Sequence, residues 1–254
     1  MIDIHNHILV DADDGPKSLE DTIALLRQAK EQGINAIVVT PHHLHPRYSN
    51  NFDAVTKSIE ELNKIDEIAK LNIQLYPGQE IRLSDQILQD IEQHKIYGIN
   101  YTKYLLIELP SNEVPHYTKK LLYEIQNKGY IPIIAHPERN KAIARDINLL
   151  YELINNGSLS QVTASSLSGE LGKNLQKISI KMIEHNLIHF IASDAHNAIN
   201  RPFMVESLFG NPKLKKFREE IDMFFKNNEA LIQGKFISKE RPIEFNKSKF
   251  FGLF

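Results

Sequence analysis

Seven short strand-like runs punctuate this chain, and between them apolar positions recur three or four residues apart. The runs cover residues 1–4, 36–41, 73–79, 104–107, 131–135, 160–163 and 189–193. In the first intervening segment Leu19, Ile23, Leu26 and Ala29 share one helical face before Gly33, and Ser18 and Asp21 are placed as a capping box. Residues 52–70 put Val55, Ile59, Leu62, Ile65, Ile68 and Ala69 on one face, which predicts a single helix. Further helices are predicted over 83–91, over 116–128 with Gly129 as the stop, over 147–156 with Gly157 as the stop, and over 171–186. After residue 205 the pattern weakens to one amphipathic helix over 213–231 and a tail over 232–254.

Strands that alternate with helices imply a parallel sheet. No composition break marks a linker, so residues 1–254 are expected to form one α/β domain. Seven strand–helix units predict a (β/α)7 barrel, one unit short of the usual eight. The alternative is an open doubly wound sheet. Closure is favoured because the first and the last strand both carry candidate ligands.

Six of the seven runs end in residues that ligate metals: His5-Asn6-His7, His42-His43, Glu80, Glu108, His136 and Asp194-Ala195-His196. The seventh, 160–163, ends in small polar residues. In a barrel the strand ends converge on one face, and that face holds the active site. Residues scattered over the sequence would then become one cluster, sized for several metal ions. At a strand's end the chain is already turning, so His5 and His7 can both reach one ion. The acids Asp11, Asp13 and Asp14 superficially form a calcium loop, but they are mis-spaced and Thr22 stands where the bidentate Glu belongs. One of the three acids can still ligate a metal from the first loop, and spacing leaves open which.

Composition narrows the chemistry. With 42% hydrophobic and 24% charged residues the chain is an ordinary soluble globular protein, and a net charge of -2 gives no basic footprint for nucleic acid. No apolar stretch approaches the ~20 residues needed to span a bilayer. A cleaved targeting segment would remove His5 and His7, so none is expected. Cysteine is absent, which excludes disulfides, thiolate metal sites and a cysteine nucleophile. If a phosphate ester is hydrolysed here, metal ions must supply the nucleophile. Imidazole and carboxylate ligands without thiolate suit Mn, Fe or Zn, and Mg less well. A carboxylate shared between metals allows a bridging hydroxide and a bound phosphoryl oxygen at once. Arg139 and Arg201 lie in loops over the same face, where guanidinium groups bind phosphate oxygens bidentately. His43, His45, Arg47 and Tyr48 can line a substrate pocket. His94, His116 and His185 read as surface or cap residues, and His189 starts a strand away from the reactive end. The stretch 247–254 is basic and then aromatic; it reads as packing on its own barrel or on a neighbouring subunit, with a docking peptide or a weak membrane-surface contact as the functional alternative.

The residues His5-x-His7, Asp14, His42, Glu80, Glu108, His136 and Asp194-x-His196 resemble the metal-site pattern of the PHP (polymerase and histidinol phosphatase) superfamily. The words MIDIHNHI, DDGP, TPHH, PGQEIR, YLLIELP, IAHPERN, SQVTASSLSG and HFIASDAHN are similar to those of the manganese-dependent protein-tyrosine phosphatases of Gram-positive capsule and exopolysaccharide loci. The resemblance runs from Met1 to about residue 203; Leu109, where such sequences often have Phe, is a conservative departure. It implies a distorted TIM-like barrel with a three-metal site, Mn being the expected ion. His5, His7, Glu80 and Asp194 would hold the first metal. Glu80, as a bridge, would hold the second with Glu108 and His136, and Asp14, His42 and His196 would hold the third. The resemblance thus selects Asp14 among the three acids, and Arg139 and Arg201 match the phosphate-binding arginines. The implied reaction is attack on phosphorus by a metal-bridging hydroxide, in line with a tyrosyl oxygen, with Asp194 or a metal-bound water available to protonate the leaving group. The implied substrate is phosphotyrosine in the C-terminal tail of a partner tyrosine kinase that controls polysaccharide export. The implied place is the cytoplasm, at the inner face of the membrane when recruited by that kinase, and a homo-oligomer is compatible with this. The rival readings are a small-molecule phosphatase acting on a compound such as histidinol phosphate, and a catalytically silent kinase-regulating module.

Overall fold

Parallel strands frame the computed structural model, which describes residues 1–245. In chain order they are β1 (Ile2–Asp3), β2 (Ala36–Val39), β3 (His42–His43), β4 (Gln74–Pro77), β5 (Glu80–Arg82), β6 (Tyr104–Glu108), β7 (Ile131–Ala135), β8 (Leu159–Thr163) and β9 (Phe190–Ala192). One sheet has the order β1-β2-β4 and the other β3-β5-β6-β7-β8-β9, with every pair parallel. Seven predicted runs yield nine strands because, beyond two of the runs, pairing resumes after a short break. Thr40 and Pro41 part β2 from β3, and proline has no N–H to give to a ladder. Gly78 and Gln79 part β4 from β5, and a Cβ at Gly78 would lie 2.7 Å from Val38 Cγ1, so only glycine lets the chain pass.

The first and last runs are hydrogen-bonded to each other. Asn6 and Ala195 form a parallel bridge, His7 N–H donates to Ala195 O at 2.8 Å, and Asp194 N–H donates to His5 O at 2.8 Å. Ser193 adds its N–H and its hydroxyl to the Asp3 carboxylate, at 2.6 and 2.9 Å. An open sheet keeps its edge strands apart; these contacts are the ones the expected barrel requires.

Alternation along the strands sorts the core into two parts. Ile4, Val38, Tyr104, Leu106, Ile133, Ala135, Leu159, Phe190 and Ala192 pack together inside. Their neighbours Ile37, Val39, Leu105, Ile107, Ile134, Val162 and Ile191 face outward into the apolar layer under the helices.

The helices follow the predicted order with local departures. In α1 (Leu19–Glu31) the Ser18 hydroxyl accepts from Asp21 N–H at 3.2 Å, but the Asp21 carboxylate turns to Lys17 N–H, so only half of the capping box forms. The expected helix over 52–70 is two, α2 (Phe52–Asn63) and α3 (Asp66–Ala69), because Ile65 between them is extended and caps the second. Then come α4 (Ile87–Glu92), which starts later than 83, and α5 (Thr118–Asn127). A short α6 (Lys141–Arg145), which the pattern does not predict, precedes α7 (Asn148–Asn155). The equally short, unpredicted α8 (Ala164–Ser168) precedes α9 (Lys173–Glu184). Gly129 and Gly157 follow α5 and α7 with φ of +90° and +98°, a conformation glycine adopts without strain. Residues 212–217 form a tighter 3-10 turn, so α10 (Arg218–Ile232) begins later than 213.

α10 closes the floor of the barrel. Leu231 and Ile232 join the interior cluster with Ile237. Asn228 donates to Ile2 O and Ile191 O, and Asn227 to His189 O and Ser238 O. The described part of the tail packs on the chain's own surface, where the Asn148 side-chain amide donates to Phe245 O and accepts Phe245 N–H, and the Phe245 ring lies under Lys181 Nζ at 3.4 Å. The stretch 247–254 lies outside the described residues. Among the described residues no helix is long and apolar enough to cross a membrane.

Candidate metal centre

Strand parity carries most of the predicted ligands into one place. His42, Glu80, Glu108 and Asp194 continue the inward positions Val38, Leu106 and Ala192 or pair with them across the ladder, with His42 opposite Glu80 and Glu80 opposite Leu106. His5 and His7, two residues apart, project together; their Nε2 atoms are 3.4 Å apart. His136 follows the inward Ala135 and is therefore out of phase. It reaches the cluster because its backbone turns left-handed, φ +30°, and Asp194 is also left-handed at φ +54°. Such conformations cost non-glycine residues on the order of 1–3 kcal/mol and concentrate at functional sites.

Glu80 is the hub. Its Oε1 lies 2.7 Å from His136 Nε2 and 3.4 Å from His5 Nε2; its Oε2 lies 2.9 Å from His42 Nδ1 and 3.3 Å from His7 Nε2. Asp194 faces two ways. Its Oδ1 is 3.4 Å from both His5 Nε2 and His7 Nε2, while its Oδ2 accepts from Arg139 Nη1 and, at 2.8 Å, from Arg201 Nη2. Asp14 Oδ1 sits 3.2 Å from His196 Nε2 and 3.5 Å from His42 Nε2. Three sets of donor atoms each converge within 4.8 Å: His5, His7 and Glu80; His42, Glu80 and Glu108; and His7, Asp14, His42 and His196. All nine predicted ligands are thus brought together. The grouping differs from the expectation: His7 and His42 each stand in two sets, Glu108 converges with His42 and Glu80, and Asp194 and His136 fall in none of the three sets, His136 meeting Glu80 alone of the second-metal residues.

The donor set fits metal ions. His5 and His7 have their outer ring nitrogens taken, Nδ1 of His5 by Gln161 Oε1 at 2.8 Å and Nδ1 of His7 by Asp13 Oδ2 at 2.6 Å. Anchoring of that kind fixes the ring and leaves Nε2 to ligate. His42 Nδ1 and His196 Nε2 are buried among carboxylate oxygens yet have no hydrogen-bond partner. The field in the pocket favours positive charge. Burial opposes charge on His42, yet Glu80 and Asp14 push its pKa up to about 10, and His7, against the same penalty, is held well above the imidazole range by Asp13, Asp194 and Glu80. Burial would raise the carboxyls of Glu80 and Asp194, but His5 and His42 for the first, and Arg139 and His5 for the second, hold them well below the usual carboxylate range. The charges around Asp194 thus favour its ionised form.

A cavity of about 290 Å³ opens over this cluster, lined by His45, Arg82, Leu109, Ser111, Arg139 and Arg201 besides the ligands. Of the four residues expected to line a pocket only His45 lines it; Arg47 and Tyr48 do not, and neither does His43. Being the strand neighbour of the inward His42 it points outward, and its Nε2 meets Asp90 Oδ2 of α4 at 3.1 Å. His94 and His116 are exposed, and His189 is buried far from the ligands, where burial pushes its pKa down to about 3. Sequence reasoning missed Asp13, whose carboxylate also caps the N–H groups of Gly15 and His42, and Gln161 on β8. The signal for Gln161 was its parity, two residues after the inward Leu159. Arg82 was missed as well; it donates to Glu108 Oε2 at 2.9 Å from the facing position on the next strand.

Residues 1–233 match the family model described as capsular polysaccharide synthesis, CpsB/CapC. The chain is 56% identical to CapC of Staphylococcus aureus over 254 residues, covering 100% of both. It is 43% identical to the tyrosine-protein phosphatase YwqE of Bacillus subtilis, again covering 100% of both. Among solved structures, one described with YwqE from Bacillus subtilis and CpsB from Streptococcus pneumoniae as unique metal-dependent tyrosine phosphatases superposes with a TM-score of 0.92. That alignment has 41% identity and covers 97% of this chain and 100% of the other.

Proposed function

The chain belongs to the CpsB/CapC family of capsular polysaccharide synthesis, and on that premise we propose that it is a metal-dependent tyrosine-protein phosphatase. The observation that carries the reading is the convergence of nine imidazole and carboxylate side chains with two arginines at one end of the strands, in a chain that has no cysteine. His5, His7, Glu80 and Asp194 would hold one ion, Glu80, Glu108 and His136 a second, and Asp14, His42 and His196 a third, with manganese as the metal. When bound, such ions polarise a phosphoryl group and supply the hydroxide nucleophile that no side chain here provides.

The protein's own part is positioning. Arg139, from the turn after β7, and Arg201, from the turn after His196, meet at Asp194 Oδ2, so a phosphate entering beside Asp194 finds two guanidinium forks. Gln161 and Asp13 keep the rings of His5 and His7 from rotating away. In our reading Asp194 is also the side chain placed to protonate the leaving group; a phenolate, with a pKa of about 10, needs less assistance than an alkoxide. In our reading the substrate is phosphotyrosine in the C-terminal tail of a tyrosine kinase that controls capsule or exopolysaccharide synthesis. The enzyme works as one domain in the cytoplasm, next to the membrane through that partner.

The test joins metal analysis to activity. Purified protein treated with a chelator is expected to lose hydrolysis of a phosphotyrosine peptide and to regain it with added Mn. Turnover that survives complete metal removal rejects the proposal, as does a rate on histidinol phosphate far above the rate on the peptide.

A further inference from the structure

A group of three near-parallel rings flanks the metal cluster. His42, a proposed ligand, packs against His45 with ring centroids 4.8 Å apart and 24° between planes. His45 in turn packs against Tyr48 at 5.2 Å and 18°. Tyr48 and His42 are themselves 6.1 Å apart and within 7° of parallel, so the three rings form a triangle around the turn. A tight turn makes this group: Tyr48 N–H donates to His45 O at 3.1 Å, the two residues form an antiparallel bridge, and Leu44 before them is left-handed at φ +55°. His45 Nδ1 accepts from Arg47 N–H at 3.3 Å, which fixes the ring, and the Arg47 guanidinium lies 5.2 Å from the Tyr48 ring centroid. His45 and Tyr48 are half-buried, and His45 lines the cavity over the metal cluster. Core packing does not require three parallel rings at the point where a cavity meets solvent.

We propose that His45, flanked by Tyr48, is the platform on which the substrate's aromatic ring lies, so that this turn selects aryl phosphates over alkyl phosphates; the proposal rests on the phosphatase reading above. In an aryl phosphate a single ester oxygen separates phosphorus from a flat π face. With the phosphoryl group held between the ligand cluster and Arg139 and Arg201, that face comes within one ring's reach of His42, which is where His45 stands. Offset stacking of such rings adds to affinity beyond the area buried. A phosphoserine side chain has no ring to stack and receives nothing from the platform. Leu109 on the cavity wall supplies a second apolar contact for an aryl group.

The experiment compares phenylphosphonate with methylphosphonate, binding of each being measured by calorimetry on the manganese-loaded protein. His45→Ala is expected to weaken phenylphosphonate about three- to tenfold, while methylphosphonate changes less than about twofold. His45→Phe is expected to restore the preference, since it keeps the ring and removes the nitrogens, and Tyr48→Ala to reduce it by a smaller factor. Equal weakening of both ligands in His45→Ala overturns the proposal, because the turn then merely supports His42, and so does a His45→Phe variant without the preference. Absence of phosphotyrosine turnover in the unaltered protein would reject the phosphatase reading, and these binding ratios would still decide the platform.

Discussion

The two ends of the barrel bury polar side chains to opposite effect. At the floor, Asn227 and Asn228 give their amide hydrogens to main-chain carbonyls of β1 and β9 and the segments beside them, and His189 Nδ1 accepts Ser160 N–H at 3.2 Å. There the polar groups complete the backbone ladder of the closing strands. At the top, imidazoles face carboxylates, ring nitrogens of His42 and His196 find no hydrogen-bond partner, and His136 and Asp194 hold strained backbones. Burial of a polar group is stabilising where its partner is a fixed carbonyl. Where the partners are other charges, the arrangement is stable only as a receptor for something positively charged. One end holds the barrel shut and the other holds it ready.

That contrast can be broken in four places. The largest effect is expected from Glu80→Gln, which neutralises the carboxylate shared by four imidazoles. Turnover of a phosphotyrosine peptide should fall about a thousandfold or more, with the fold intact by circular dichroism; a loss smaller than tenfold would contradict the hub role. Next is Asp13→Asn, which leaves every proposed ligand in place but loosens the anchor on His7. Metal affinity, read by titration, should weaken by roughly 10–100-fold, and unchanged affinity would place Asp13 outside the centre.

The third concerns pH and the floor. His189 has a folded pKa of about 3 against 6.5 for a free imidazole, so between those values the unfolded chain binds a proton that the folded one refuses. Stability must therefore fall as pH drops below 6.5, by about 2 kcal/mol at pH 5 from this group alone. His189→Asn keeps an acceptor for Ser160 N–H and should flatten the denaturant-midpoint profile between pH 7 and 5; a profile as steep as before speaks against the assignment. The smallest effect belongs to Asn228→Ala, which removes two bonds to β1 and β9 strand carbonyls. It should cost about 1–2 kcal/mol, a few degrees in Tm, and leave kcat on the peptide unchanged at 25 °C. A collapse of activity in the folded variant would mean that the two ends are not separable.

The top of the barrel was more legible from the residues than the floor, and the reason is local. A run of strand residues followed at once by His5-x-His7, His42, Glu80, Glu108, His136 or Asp194-x-His196 is a short-range pattern, and the topology needs only to gather the ends. Asp13 and Asp14 are adjacent, and only the fold decides that one reaches His7 while the other reaches His196. His43 was misplaced because alternation was not followed through the strand, and Gln161 because a polar residue in a weak run drew no attention. The floor was illegible for a different reason. An amphipathic helix looks alike whether it covers the side of a barrel or plugs its end, and the role of α10 rests on Asn227 and Asn228, whose partners lie far away in the chain. The break at Ile65 was hidden because apolar spacing continues across it; the helical period survives where the helix does not.

The hydrogen bond from Ser193 to Asp3 spans 190 residues of chain. Seen as a sequence of events, this span sets a schedule. During synthesis His5 and His7 leave the ribosome well before their partners Asp194 and His196 and the two asparagines of the floor. Contacts of such long range form late, so a nascent chain carries loose histidines and carboxylates but no pocket. The centre is complete only when the last strand meets the first, and a chain halted short of that meeting lacks Asp194 and His196.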